Sequence, residues 1–112
     1  MDIIKQALNL KQGEDIIVTV DRNTCKAWLL AVETEKNLRL IQRTALENDD
    51  FTWEDYGKAM FDADRQVLKR DRILLKACAD ILGNESAVDM LRENGVFMQL
   101  DAKNNAMRIF RG

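Results

Sequence analysis

The sequence contains no histidine and no proline, and it has only two cysteines and one tyrosine. Without histidine there is no Ser-His or Cys-His nucleophile pair and no imidazole metal ligand. Acid–base work near neutral pH would fall to a shifted Asp, Glu, Lys, Cys or Tyr. Without proline, turns must be built from Gly, Asn and Asp. Cys25 and Cys78 lie far apart with no CxxC spacing. That pattern predicts free, packed thiols and a cytoplasmic setting. The opening MDIIKQALNL is too short and too polar for a signal peptide. No apolar run approaches a membrane span, so no membrane partner is expected. No phosphate-loop or dinucleotide glycine pattern occurs, and no metal ligand set or cofactor is predicted.

The totals bound what remains. A composition of 46% hydrophobic and 32% charged residues belongs to a folded chain rather than a disordered one. With a net charge of -2, the chain has no global attraction to nucleic acid or an anionic membrane. Residues 1–112 are read as a single domain, long enough to bury a core without staples.

Thr52 to Gly83 carries the clearest period. Trp53, Met60, Val67, Leu74 and Ile81 recur every seven residues, and Phe61, Leu68, Leu75 and Leu82 form the adjacent row. Together they make a continuous apolar stripe on one helix. Thr52 and Asp55 supply a weak capping box, Glu54 and Asp55 suit the positive helix start, and Gly83 suits its end. A helix of that length spans about 45 Å. A domain of this size has a radius of gyration of only about 13 Å. Either the helix kinks near Lys69–Arg72, or it projects and a second copy of the chain covers the overhang.

Gly57, Asp64, Asp71 and Cys78 fall between the two apolar rows. The two carboxylates therefore face the apolar side and call for a polar partner, such as Arg70 of a second copy, or for a bend that turns them to solvent. Lys58, Arg65, Lys69, Arg72 and Lys76 form a basic face on the other side, interleaved with Glu54, Asp55, Asp62 and Asp80. Such interleaving is ordinary surface chemistry before it is a phosphate-binding stripe.

The rest of the chain is shorter in range. Asp2 can cap a helix running to about Leu10, and DIIVTV at Asp15–Val20 reads as a strand. Thr24 to Leu46 fits two patterns. Ala27, Leu30, Ala31, Thr34, Leu38, Ile41 and Ala45 keep a helical period. Turn chemistry at Asp21–Thr24 and at Glu35-Lys36-Asn37 instead delimits strands at Cys25–Glu33 and Leu38–Thr44. The meander is preferred because the strand at 15–20 needs neighbours. Glu47-Asn48-Asp49-Asp50 is an acidic connection without the glycine-centred pattern of a calcium loop. Ser86 with Asp89 opens a short helix that ends at Asn94-Gly95, and Val96–Leu100 with Ala106–Phe110 reads as a β-hairpin. The expected fold is α+β: an antiparallel sheet, formed by an N-terminal meander and a C-terminal hairpin, packed on one long central helix with short flanking helices.

Three functions fit these residues. The first is a small non-enzymatic interaction protein, an adaptor, inhibitor or regulator acting through protein–protein contacts and built as a homodimer on the long helix. Its interface would draw on Trp53, Tyr56, Met60, Phe61, Val67 and Leu74, and its partners would be a second copy and an unidentified protein. The second is a winged-helix-like nucleic-acid-binding regulator, suggested by the order helix, glycine turn, short helix, hairpin. It is disfavoured because the reading helix would offer Glu85, Asp89 and Glu93 against a single Arg92, with Lys103, Arg108 and Arg111 as thin compensation. The third is a small enzyme using Asp64 and Asp71; spacing assembles no acid/base constellation, and this pair is the sole, weak candidate.

Overall fold

The computed structural model describes residues 2–48, 50 and 52–112. The chain runs α1 (Ile3–Leu8), β1 (Asp15–Thr19), α2 (Arg22–Glu47), α3 (Trp53–Leu82), α4 (Ser86–Glu93) and β2 (Val96–Asp101). A single 3₁₀ turn at Ala102–Asn104 leads into β3 (Ala106–Arg111). The α+β class holds, with one antiparallel sheet ordered β1-β3-β2.

The N-terminal meander does not form. Cys25–Glu33 and Leu38–Thr44 lie in one 26-residue helix, α2, with Glu35-Lys36-Asn37 in its interior. Two physical reasons decide this. No glycine or proline stands between Glu14 and Tyr56, so the second turn of a three-stranded meander would have had to form at Glu35-Lys36-Asn37, where Glu and Lys favour helix. The neighbour that β1 needs is supplied from the far end of the chain, where Ile16 stands opposite Ile109 and Val18 opposite Met107. Asp21 then acts as a helix cap rather than a hairpin turn, accepting from the Thr24 backbone N–H at 3.1 Å.

The long helix is continuous from Trp53 to Leu82, with no break at Lys69–Arg72. Thr52 accepts from the Asp55 N–H at 3.2 Å, and Gly83 closes the helix at φ 73°, donating to the Ala79 carbonyl. Ser86 is the first helical residue of α4 rather than its cap. The Asn84 side chain accepts from the Ser86 N–H at 2.9 Å instead. Asp2 caps α1 as expected, though the helix stops at Leu8. Asp49 of the acidic connection lies outside the described residues.

α2 and α3 pair as an antiparallel hairpin along a seam of small side chains. Ala31 on α2 and Ala59, Ala63 and Ala77 on α3 are buried. Two ion pairs cross the seam: Arg39 to Asp64 at 2.9 Å, and Arg70 to Glu35 at 2.6 Å. At the base, Cys25, Ala77 and Cys78 join Val20, Leu100 and Met107 of the sheet region in one core cluster, with Trp28 and Leu74 packed against it. A second cluster, centred on Leu91, Val96 and Ile109, ties α1, α4 and the tip of α3 to the same sheet face. Burial of each such aliphatic side chain stabilises by about 1.5–3 kcal/mol. The rest of the hairpin stands clear of this body. The molecule measures 58 × 27 × 24 Å, with a radius of gyration of 17.6 Å against about 13 Å for a round domain of this length.

Candidate functional site

The helical periodicity of α3 separates its two apolar rows by about 100°. Because α2 and the sheet cover one flank, the rows fare differently. Val67, Leu74 and Ile81 of the first row are partly buried, and Leu74 and Ile81 pack on the core. Of the second row, Leu82 is buried, but Phe61, Leu68 and Leu75 are 63%, 64% and 43% exposed. Of the predicted contacts, Leu74 is thus engaged by the core of its own chain and Val67 is partly covered. The row left open is one residue further on, along the helix face turned away from α2.

The N-terminal end of α3 adds to this surface. Trp53 is 80% exposed and meets Tyr56 edge-on at 5.8 Å between ring centroids. Met60 is exposed as well. On α2, Leu29, Leu30, Leu40, Ile41 and Leu46 are exposed. Sequence reasoning missed these because it split α2 into strands; the helical period through Ala27, Leu30, Ala31, Thr34, Leu38, Ile41 and Ala45 was the signal for Leu30 and Ile41, and no helical period marked Leu29, Leu40 or Leu46. Among the described residues, large exposed apolar side chains outside the hairpin are few: Ile17 and Phe97.

Below Leu75 the open row runs into a groove of about 420 Å³ between α3, α4 and β2. Leu75, Cys78, Val88 and Phe97 give it apolar walls, and Asp71, Asp89 and Arg92 give it charge. Burial pushes the Cys78 thiol up, with Arg92 acting weakly in the opposite direction. Burial also raises the Cys25 thiol, helped by the carboxylates of Asp21 and Asp101. Both thiols are free and hold their protons at neutral pH.

The carboxylates that the helical wheel turns towards the apolar side are exposed. Asp64 is held by Arg39 of α2, and Asp71 lies 3.6 Å from Arg70. Arg70 itself turns to Glu35. Asp64 and Asp71 stand two turns apart, about 10.5 Å along the axis, too far to share a proton or flank one reacting atom directly. Lys58, Arg65, Lys69, Arg72 and Lys76 are all exposed, and the Arg65 guanidinium sits 6.0 Å from the Phe61 ring. Among the described residues no group of three or more carboxylates or thiols is placed to hold a metal ion, and no helix is long and apolar enough to cross a membrane.

The hairpin arginines are committed to structure. Arg111 donates to the carbonyl oxygens of Leu8, Leu10 and Asn94, joining the ends of α1 and α4 to the sheet. Arg108 donates to Asp15 at 3.0 Å and lies over the Phe110 ring at 4.4 Å. Sequence spacing could not assign these roles, since Asp15, Leu10 and Leu8 lie 93, 101 and 103 residues from the arginines they accept from. No protein-family model, curated protein or solved structure matches this chain.

Proposed function

We propose that the chain is a non-enzymatic interaction protein, an adaptor, inhibitor or regulator, that acts through its projecting helical hairpin and self-associates there as a homodimer. The observation that carries this reading is the open row Phe61, Leu68 and Leu75 on a helix that stands clear of its own body. Large apolar side chains that recur along one exposed helix face mark contact sites, and aromatic residues are favoured in them. Asp64 and Asp71 are too exposed and too far apart to argue for a hydrolytic pair. Two buried thiols suit a reducing compartment such as the cytoplasm. Sedimentation equilibrium at about 100 µM, a range where standard-size interfaces associate, tests the reading. A dimeric mass that Leu68→Asp reduces to a monomer supports it, and a monomeric mass for the wild type sinks it.

A second reading draws on topology. α3, a three-residue turn with Gly83, α4 and the β2–β3 hairpin follow the order of a helix-turn-helix with a wing, and β1 pairs with β3 beside it. The electrostatics oppose it: Asp89 and Glu93 accompany Arg92 on α4, Glu85 precedes it, and Arg108 and Arg111 already have partners within the chain. A gel-shift titration on mixed-sequence duplex at physiological salt decides the matter. Submicromolar binding weakened by Arg92→Ala and Lys103→Ala would place nucleic-acid binding first.

A further inference from the structure

We infer that the second copy packs on α3 in parallel, about a two-fold axis running along the helix; this rests on the self-association proposed above. The inference comes from the charges beside the open row. At about 100° per residue, Asp64 and Asp71 lie some 50° to one side of the line through Phe61, Leu68 and Leu75, and Arg65 and Arg72 lie some 50° to the other. One flank of the row is therefore acidic and the other basic. Acid and base also stand level, because Asp64 precedes Arg65 and Asp71 precedes Arg72.

Symmetry decides which flanks meet. A two-fold along the helix axes brings the left flank of one copy against the right flank of the other, as in parallel coiled coils. Asp71 then faces Arg72 of the second copy, Asp64 faces Arg65, and each pairing occurs twice. A two-fold across the helix axes reverses one copy and sets like flanks together, so that carboxylates meet carboxylates and guanidiniums meet guanidiniums. Like charges across an interface suppress that arrangement.

The surroundings reinforce the asymmetry. Asp71 and Asp89 line the same groove beside Leu75, so α4 adds a carboxylate to the acidic flank, and Arg92 is the one cation among the described residues that line that groove. Lys76 extends the basic flank. Arg65 is poised over Phe61, at the edge of the row where a partner's carboxylate would arrive. Asp64 is already held by Arg39 at 2.9 Å, whereas Asp71 is met more loosely by Arg70 at 3.6 Å, which leaves Asp71 with Arg72 as the more discriminating pair.

Charge exchange and cysteine pairing test the geometry. In the full chain, Asp71→Arg should weaken the dimer by at least about tenfold in Kd, since it sets a guanidinium against Arg72 of the second copy. Adding Arg72→Asp should restore the affinity, measured by sedimentation equilibrium. In the parallel arrangement Phe61→Cys, Leu68→Cys and Leu75→Cys, tested singly, should each form a disulfide-linked dimer on mild oxidation, because every residue of the row meets its own counterpart. Tightening by Asp71→Arg, or crosslinking at Leu68→Cys alone, would show an antiparallel pair and overturn this inference while leaving self-association intact. A dimer that crosslinks at none of the three would move the interface elsewhere and overturn it as well. A wild type that stays monomeric at about 100 µM overturns both this geometry and the self-association beneath it.

Discussion

The two ends of this molecule use the same apolar side chains under different constraints. In the body, Leu91, Met107 and Ile109 are fully enclosed by α1, α4, the base of the hairpin and one face of the sheet. Along the projecting hairpin, α2 and α3 have only each other, and each helix can turn one stripe to its partner. The seam is made of alanines and crossed by Arg39–Asp64 and Arg70–Glu35, while leucines and a phenylalanine remain outside. Small residues in the seam and large ones outside it invert the usual arrangement of a two-helix core. The hairpin therefore buries little of its own large apolar surface.

The contrast can be tested by substitution, beginning with the largest effect. Leu91→Ala should cost the body about 3–5 kcal/mol, read from urea or thermal denaturation, because its surroundings are held by two helices and a strand and cannot collapse onto the cavity. Leu68→Ala should cost the protomer fold under about 1 kcal/mol yet weaken association. Equal losses at the two sites would mean that the hairpin row is core after all.

Arg111→Ala should come next, at about 2–3 kcal/mol, since it strips charged donors from the carbonyl oxygens of Leu8, Leu10 and Asn94 together. Hydrogen exchange should show α1 opening first. Unchanged protection there would refute the role given to Arg111 as the tie between α1, α4 and the sheet.

Smaller effects separate the two ion pairs of the hairpin. A double-mutant cycle on Glu35 and Arg70, which are partly buried, should give a coupling of about 1 kcal/mol. The cycle on Arg39 and Asp64, which are more exposed, should give no more than about 0.5 kcal/mol. The reverse order would place the tighter part of the seam at its outer end.

The smallest effect lies in pH. Both thiols titrate above their ordinary range in the fold, so above about pH 8.5 the native state holds protons that the unfolded chain has released. Stability should therefore fall as the pH rises from the ordinary thiol value towards the raised one, and stay level below it. Cys25→Ala with Cys78→Ala should flatten that part of the stability curve. A slope identical in the wild type and the double variant would show that the thiols are not desolvated.

How much of this was legible in the sequence depended on the range of the controlling interaction. The limits of α3 were clear because Thr52, Asp55 and Gly83 act on backbone groups within a turn of themselves. The β2–β3 hairpin was clear for a similar reason. α2 was misread because two local patterns competed, and the choice was made on the supposed need of β1 for a sequence neighbour. That neighbour is β3. The open row was half legible: the period named both apolar rows, but which row α2 would cover depended on how the hairpin docks. The arginines that proved structural, Arg70, Arg108 and Arg111, were read as surface or contact charges because their partners lie far along the chain.

The order of the sheet also bears on how the chain reaches its fold. β3 is the middle strand, and Asp15 pairs with Phe110 across nearly the whole sequence. Closing an unstructured loop of some 90 residues carries an entropic term of about 4 kcal/mol beyond the constant for any closure. An antiparallel pair of long helices removes most of that obstacle, since it returns the chain to its starting level before the last strands arrive. Helices of this kind form in about a microsecond, whereas distant strand pairing takes milliseconds or longer. Early formation of the hairpin would make it a folding scaffold, leaving only short segments on either side to search for each other and the sheet as the last part to assemble.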